Sequence, residues 1–164
     1  MGTTATSTEE LLARLSLRLQ ELEDKQALAS LLNRYSRAVD AFDWDAWGAC
    51  WATDAVADFG RSGNLEGREA IVGRSRAAQD IYRHRGGMQH LLTNLEFAVS
   101  GDTAEGYGNL LFSCSINSAK TPPDFAVCGK YRWEFLRGAD GWQIKRAWLR
   151  RVWSAGPDVV GGHR

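Results

Sequence analysis

Apolar residues recur at two different spacings along this chain, and the change near Met88 separates a helical first half from a sheet-forming second half. Leu11, Leu12, Leu15, Leu19 and Leu22 fall at helical spacing. Leu28, Leu31, Leu32, Tyr35 and Val39 continue that stripe as the buried face of the same helix or of a following one. Ser7-Thr8-Glu9-Glu10 reads as a capping box at its start. Glu21, Glu23, Asp24 and Lys25 form a polar stretch where the helix can break or bend, although no proline forces it. Asp43 then caps a short second helix with Trp47, Cys50 and Trp51 on its apolar side. A short strand over 55–59 ends at glycines, and Gly67-Arg-Glu-Ala-Ile71 opens a third helix running to about Tyr82.

From Met88 onward the alternation predicts strands at 89–99, 105–117, 125–137 and 142–153. Turn-forming residues separate them at 100–102, 118–124 and 138–141. Strict alternation on the first strand puts His90, Leu92 and Asn94 on one face, with Leu91, Thr93, Leu95 and Phe97 opposite. Helices followed by an antiparallel meander predict an α+β fold: a cone-shaped barrel whose curved, mostly antiparallel sheet wraps around the N-terminal helices and leaves a pocket at one end. One domain is expected over 8–155, between a polar leader at 1–7 and a glycine-rich tail at 156–164.

Composition narrows the function. Lysine plus arginine and aspartate plus glutamate balance at 20 each, so no global field draws in nucleic acid or an anionic membrane. No apolar run reaches the roughly 18 residues of a spanning helix. Cys50, Cys114 and Cys128 show no paired spacing, which fits a reducing cytoplasm rather than a disulfide or zinc framework. The Gly106-Tyr-Gly108 segment lacks the third glycine and following helix of a dinucleotide site, and no phosphate loop is present. No cofactor and no metal are expected.

The candidate chemistry sits in Tyr35, Asp40 and His90. A carboxylate that fixes an imidazole's tautomer makes it a proton-transfer group near neutral pH, and a tyrosine hydroxyl can hold a developing oxyanion. Each also has a plainer reading. Asp40 can simply cap a helix end, Tyr35 can bond within the core, and a lone strand histidine is more often a satisfied core residue. Of Arg150 and Arg151, one faces inward on a regular strand, or both cover an exposed edge with their stems.

Glu21-x-x-Asp-Lys-Gln-Ala-Leu, Tyr35-x-x-x-x-Asp40-x-x-Asp43-Trp44-Asp45, Gly67-Arg-Glu-Ala-Ile71, Met88-Gln-His90 with Asn94, and Asp140-Gly-Trp142-Gln-Ile144 together resemble SnoaL-like proteins of the nuclear transport factor 2-like superfamily. The resemblance covers roughly 20–153 and points to the branch of scytalone dehydratase, the bile-acid 7-alpha-dehydratases and the lindane dehydrochlorinase. It implies a cofactor-independent lyase, with His90 as base, Asp40 as its partner, Tyr35 as oxygen-holding donor and Arg150 as an anion partner. The expected substrate is a small hydrophobic cyclic molecule held among Phe42, Trp47, Trp51, Phe59, Leu92, Asn94, Cys114 and Trp133. Scytalone dehydratase-like proteins carry a second pocket histidine near the position of Cys114, and a thiol is a poor water-holding donor, so scytalone itself is not the expected substrate. The alternatives are an isomerase or cyclase of the same fold, or a non-catalytic ligand-binding domain. A homo-oligomer is expected through the outer sheet face, with the branch pointing to a trimer and a dimer as the alternative.

Overall fold

A computed structural model describes residues 7–60, 63–83, 87–115 and 125–156. The expected leader and tail, apart from Ser7 and Gly156, and the turn at 118–124 lie outside the described residues. Helix α1 spans Thr8–Asp40 without a break. The capping box forms as the sequence predicts: the Ser7 hydroxyl accepts from the Glu10 N–H at 3.2 Å, and the Glu10 carboxylate accepts from the Ser7 N–H at 2.9 Å. Helix α2 is Trp44–Gly48 and α3 is Arg68–Gln79, followed by a single 3₁₀ turn at Asp80–Tyr82.

Six strands form one curved sheet: β1 Trp51–Asp58, β2 Asn64–Glu66, β3 Gly87–Ser100, β4 Thr103–Ser115, β5 Phe125–Gly138 and β6 Gly141–Ala155. Their order is β2-β1-β6-β5-β4-β3. The pair β1–β6 is parallel and every other pair is antiparallel, so the sheet is mixed and does not close. The strand β2 is too short to show a period in the sequence.

The two leucine stripes of α1 do not share a face. The step from Leu22 to Leu28 is six residues, about 240° around a helix at 100° per residue. Leu28, Leu31, Leu32, Tyr35 and Val39 are buried against the sheet, whereas Leu11, Leu12, Leu15, Leu19 and Leu22 are exposed. The expectation of one continuous buried face is therefore corrected. Fully burying each large apolar side chain of the inner set stabilises the domain by about 2 kcal/mol.

Bare backbone on β4 makes room for the aromatic concave face. A Cβ on Gly106 would lie 2.8 Å from the Phe135 ring, and one on Gly108 would lie 2.8 Å from Leu95 and 3.2 Å from Trp133. The pair that failed as a nucleotide motif is a packing device.

Asp24 anchors α1 where it meets the sheet. Its carboxylate accepts from Arg137 Nη2 at 2.7 Å and from Trp142 Nε1 at 3.2 Å. Arg137 also reaches Asp102 at 3.0 Å and lies over the Trp142 ring, 4.4 Å from its centroid. The Arg137 hydrogen bond holds the buried Asp24 carboxyl below the usual carboxylate range, with burial opposing it. Asp24→Asn should cost about 2 kcal/mol, less than a fully buried pair because Arg137 stays partly in water. A depressed folded value means that this contribution is complete above the unfolded carboxylate value of about 4 and is lost as pH falls through the folded one. Urea titrations of both proteins should show a constant stability gap at neutral pH that narrows on acidification.

Candidate active site

Helix α1 ends where the site begins. Asp43 N–H donates to the Ala38 carbonyl at 2.9 Å and Phe42 N–H to that of Val39 at 3.0 Å, with Phe42 in the left-handed region at φ 58°. A non-glycine residue there costs about 1 kcal/mol. Arg83 offsets it, donating to the Phe42 carbonyl at 2.8 Å and covering the Phe42 ring at 5.1 Å. The turn leaves Asp40 in the last helical residue, facing the start of β3.

There Asp40 meets His90, 50 positions away in sequence. Asp40 Oδ1 lies 2.7 Å from His90 Nδ1, and Asp40 Oδ2 accepts from the His90 main-chain N–H at 2.9 Å. One carboxylate thus grips both the ring and the backbone of the same residue. With Nδ1 donating to Asp40, the basic lone pair resides on Nε2. The imidazole side chain is only 9% exposed and packs against Phe112, with ring centroids 4.6 Å apart.

His90 borders a cavity of about 110 Å³ between the concave sheet and helices α1, α2 and α3, whereas Asp40 does not line it. Tyr35, Trp47, Phe59, Phe112 and Phe125 supply aromatic walls. The Tyr35 and Tyr131 hydroxyls hydrogen-bond to one another. Burial raises the Tyr35 hydroxyl well above its ordinary value and pushes Tyr131 up to about 12. Both therefore remain protonated donors. Trp47 Nε1 and Gln79 Oε1 are buried without a hydrogen-bond partner among the described residues, and both residues line the cavity.

Arg151, not Arg150, lines this cavity; Arg150 is exposed and borders a different groove with Asp58 and Trp148. Trp142 and Ile144 face inward, and strict alternation from them would bring Arg150 in. The β5–β6 register shifts between Glu134 and Phe135, stepping over Lys145, so that Ala147, Leu149 and Arg151 take the inner face. A second shift on β3 between Thr93 and Glu96, with Asn94 at φ 54°, does the same to that strand. Leu95, Phe97 and Val99 join His90 and Leu92 against the core, and Asn94 is exposed. The expected faces of Leu95, Phe97 and Asn94 are corrected accordingly.

The other expected lining residues divide. Trp47 and Phe59 line the cavity. Leu92 lies in a shallow groove behind the dyad with Arg37 and Asp40. Phe42 belongs to the helix-ending turn. Trp51, Cys114 and Trp133 are buried packing residues beside the cavity and do not line it; Trp133 stacks on Tyr131 at 4.7 Å. Tyr131 and Gln79 went unread in the sequence. Tyr131 alternates with Trp133 and Phe135 on the inner face of β5, a usable signal; Gln79 carried none. Among the described residues no cluster of His, Cys, Asp or Glu forms a metal site; His84 lies outside them.

The sequence profile of the SnoaL-like domain matches residues 20–147. The chain is 27% identical over 143 residues to the uncharacterized protein Rv2910c of Mycobacterium tuberculosis, covering 87% of this chain and 92% of that one. Among solved structures, a nuclear transport factor 2-like protein with a cystatin-like fold from Novosphingobium aromaticivorans superposes with a TM-score of 0.71 at 24% identity, over 91% of this chain and 92% of that one. A proposed scytalone dehydratase from the same organism gives 0.73 at 20% identity, over 84% and 89%. The hexachlorocyclohexane dehydrochlorinase LinA type 2 gives 0.72 at 19% identity, over 84% and 91%. Profile and architecture agree, and the chain belongs to the SnoaL-like domain family within the nuclear transport factor 2-like fold.

Proposed function

We propose that this protein is a cofactor-independent lyase that eliminates water from a small, hydrophobic cyclic hydroxy-ketone. The observation that carries the reading is the 2.7 Å contact of Asp40 with His90 Nδ1 at the wall of an aromatic cavity. His90 Nε2 takes the proton alpha to the carbonyl, and Asp40 holds the ring and balances the imidazolium. The carbonyl oxygen gains charge and is held by the Tyr35–Tyr131 pair, with the Arg151 guanidinium on the same wall. The enolate then re-forms its carbonyl, the alpha–beta double bond appears and the beta C–O bond breaks. The proton on His90 goes to the departing hydroxyl, so water leaves and the histidine returns to its neutral form.

Cavity size supports a single ring at the reacting end. A cavity of 150 Å³ is about right for benzene, so about 110 Å³ admits one ring at most, and that only with some widening. The dehydratase and dehydrochlorinase named among the similar structures carry out eliminations by name, which agrees with this reading.

The test is to incubate the protein with single-ring beta-hydroxy ketones and follow product mass. Loss of the mass of water supports elimination; an unchanged mass with a shifted double bond identifies an isomerase. His90→Ala should lower turnover by about 10³-fold with the fold intact, since its main-chain N–H still reaches Asp40. Asp40→Asn should lose on the order of 100-fold in turnover. Full turnover in the His90 variant would refute the dyad.

The two neighbouring arginines make a separate comparison. Arg151→Ala should reduce kcat/KM by on the order of 10-fold or more, while Arg150→Ala should stay within about 2-fold of the parent. The reverse pattern, measured on any turned-over substrate, would place Arg150 at the oxyanion instead.

A further inference from the structure

The first half of α1 carries a leucine seam on the wrong side for its own domain. Every residue over 7–23 is exposed, and burial begins at Asp24. The free segment is about 24 Å long at 1.5 Å per residue. Leu12, Leu15, Leu19 and Leu22 follow one another at steps of three, four and three, the a/d spacing of a two-heptad coiled-coil seam. Their exposures are 59, 52, 57 and 64%, so nothing among the described residues covers them.

At 100° per residue the seam points about 180° away from the face formed by Asp24, Leu28, Leu31 and Tyr35. Further along, the same outer side carries Gln26, Ser30, Asn33 and Arg37, the ordinary polar solvent face of a surface helix. Leucine therefore occupies this side only where the helix stands clear of the sheet. A partner helix can approach there without meeting the barrel.

We infer that this segment is an interface with a second copy of the same chain, the two helices lying parallel and in register through Leu12, Leu15, Leu19 and Leu22. Charge selects the direction. With Leu12 and Leu19 at a positions, Arg18 falls at g and Glu23 at e of the next heptad, which a parallel pair brings together across the seam. An antiparallel pair would set Arg18 near its own copy and Glu9 near Glu23, each a like-charge contact. A specific interface needs about 1,000 Å² in total, and the exposed seam leucines, Leu11 and the flanking stems of both helices are what can supply it. Anchorage at Asp24 holds the helix formed beforehand, which lowers the cost of pairing. The inference is independent of the proposed chemistry.

Sedimentation velocity on the full chain at tens of micromolar is the test. The parent should run as two or more chains, and Leu15→Glu with Leu19→Glu as a monomer with unchanged circular dichroism and thermal midpoint. Arg18→Glu should weaken association at least tenfold at low salt, and adding Glu23→Arg to it should restore most of the loss. A monomeric parent would overturn the inference. So would a doubly substituted protein that keeps its mass, which would move the interface to the exposed row Leu91, Leu111 and Trp153 on the outer sheet face. Failure of the reciprocal charge exchange to restore binding would reject the parallel register.

Discussion

The contact between Asp40 and His90 joins the two halves of the chain at one point. A helix end and the start of a strand are held together because one carboxylate accepts from the histidine ring and from its main-chain N–H. The backbone bond sets where β3 starts relative to α1, and the ring bond sets which nitrogen faces away. Geometry and protonation are thereby fixed by the same two oxygens. A partly buried carboxylate needs such donors in any case, since an unsatisfied charge at that depth would cost several kcal/mol. The requirement that stabilises the domain is thus also the one that prepares the imidazole.

That contact depends on an early stop to α1. Val39 and Tyr35 must remain helical to reach the core, yet the chain must leave the axis directly after Asp40. Phe42 in the left-handed region accomplishes the turn without glycine, held by Arg83 and set edge-on to Trp44 at 6.4 Å. An aromatic at this position closes the end of the domain where glycine would leave a gap. Trp44 in turn donates to Asp80 at 2.9 Å and links α2 to the turn after α3, so the helices framing the cavity brace one another.

How much of this was legible in the sequence follows from what period can and cannot carry. Helix starts were readable from Ser7 and Asp43 because a cap is a local hydrogen bond. Strand positions in the meander were readable within a few residues from alternation. The faces were not, because a single inserted residue inverts every position beyond it. The shift at Lys145 exchanged Arg150 for Arg151, and the shift after Thr93 sent Asn94 outward while bringing Leu95 and Phe97 in. Bulges arise from how two strands pair, and neither strand records them alone. The pairing of Asp40 with His90 came from resemblance; spacing by itself left Asp40 as a helix cap.

The two faces of α1 show the same limit from another side. A helical wheel assigns every leucine to some apolar stripe, but only the sheet decides which stripe it covers. The sheet covers the residues from Asp24 onward, and the six-residue step after Leu22 turns the earlier leucines away from it. Their spacing is nevertheless regular, and regular apolar spacing on a free helix has a cost in water unless something meets it. The pattern that misled as a prediction of the core is coherent as a prediction of a surface. Reading it that way needs no residue beyond those that define the helix, only the knowledge of where the domain ends.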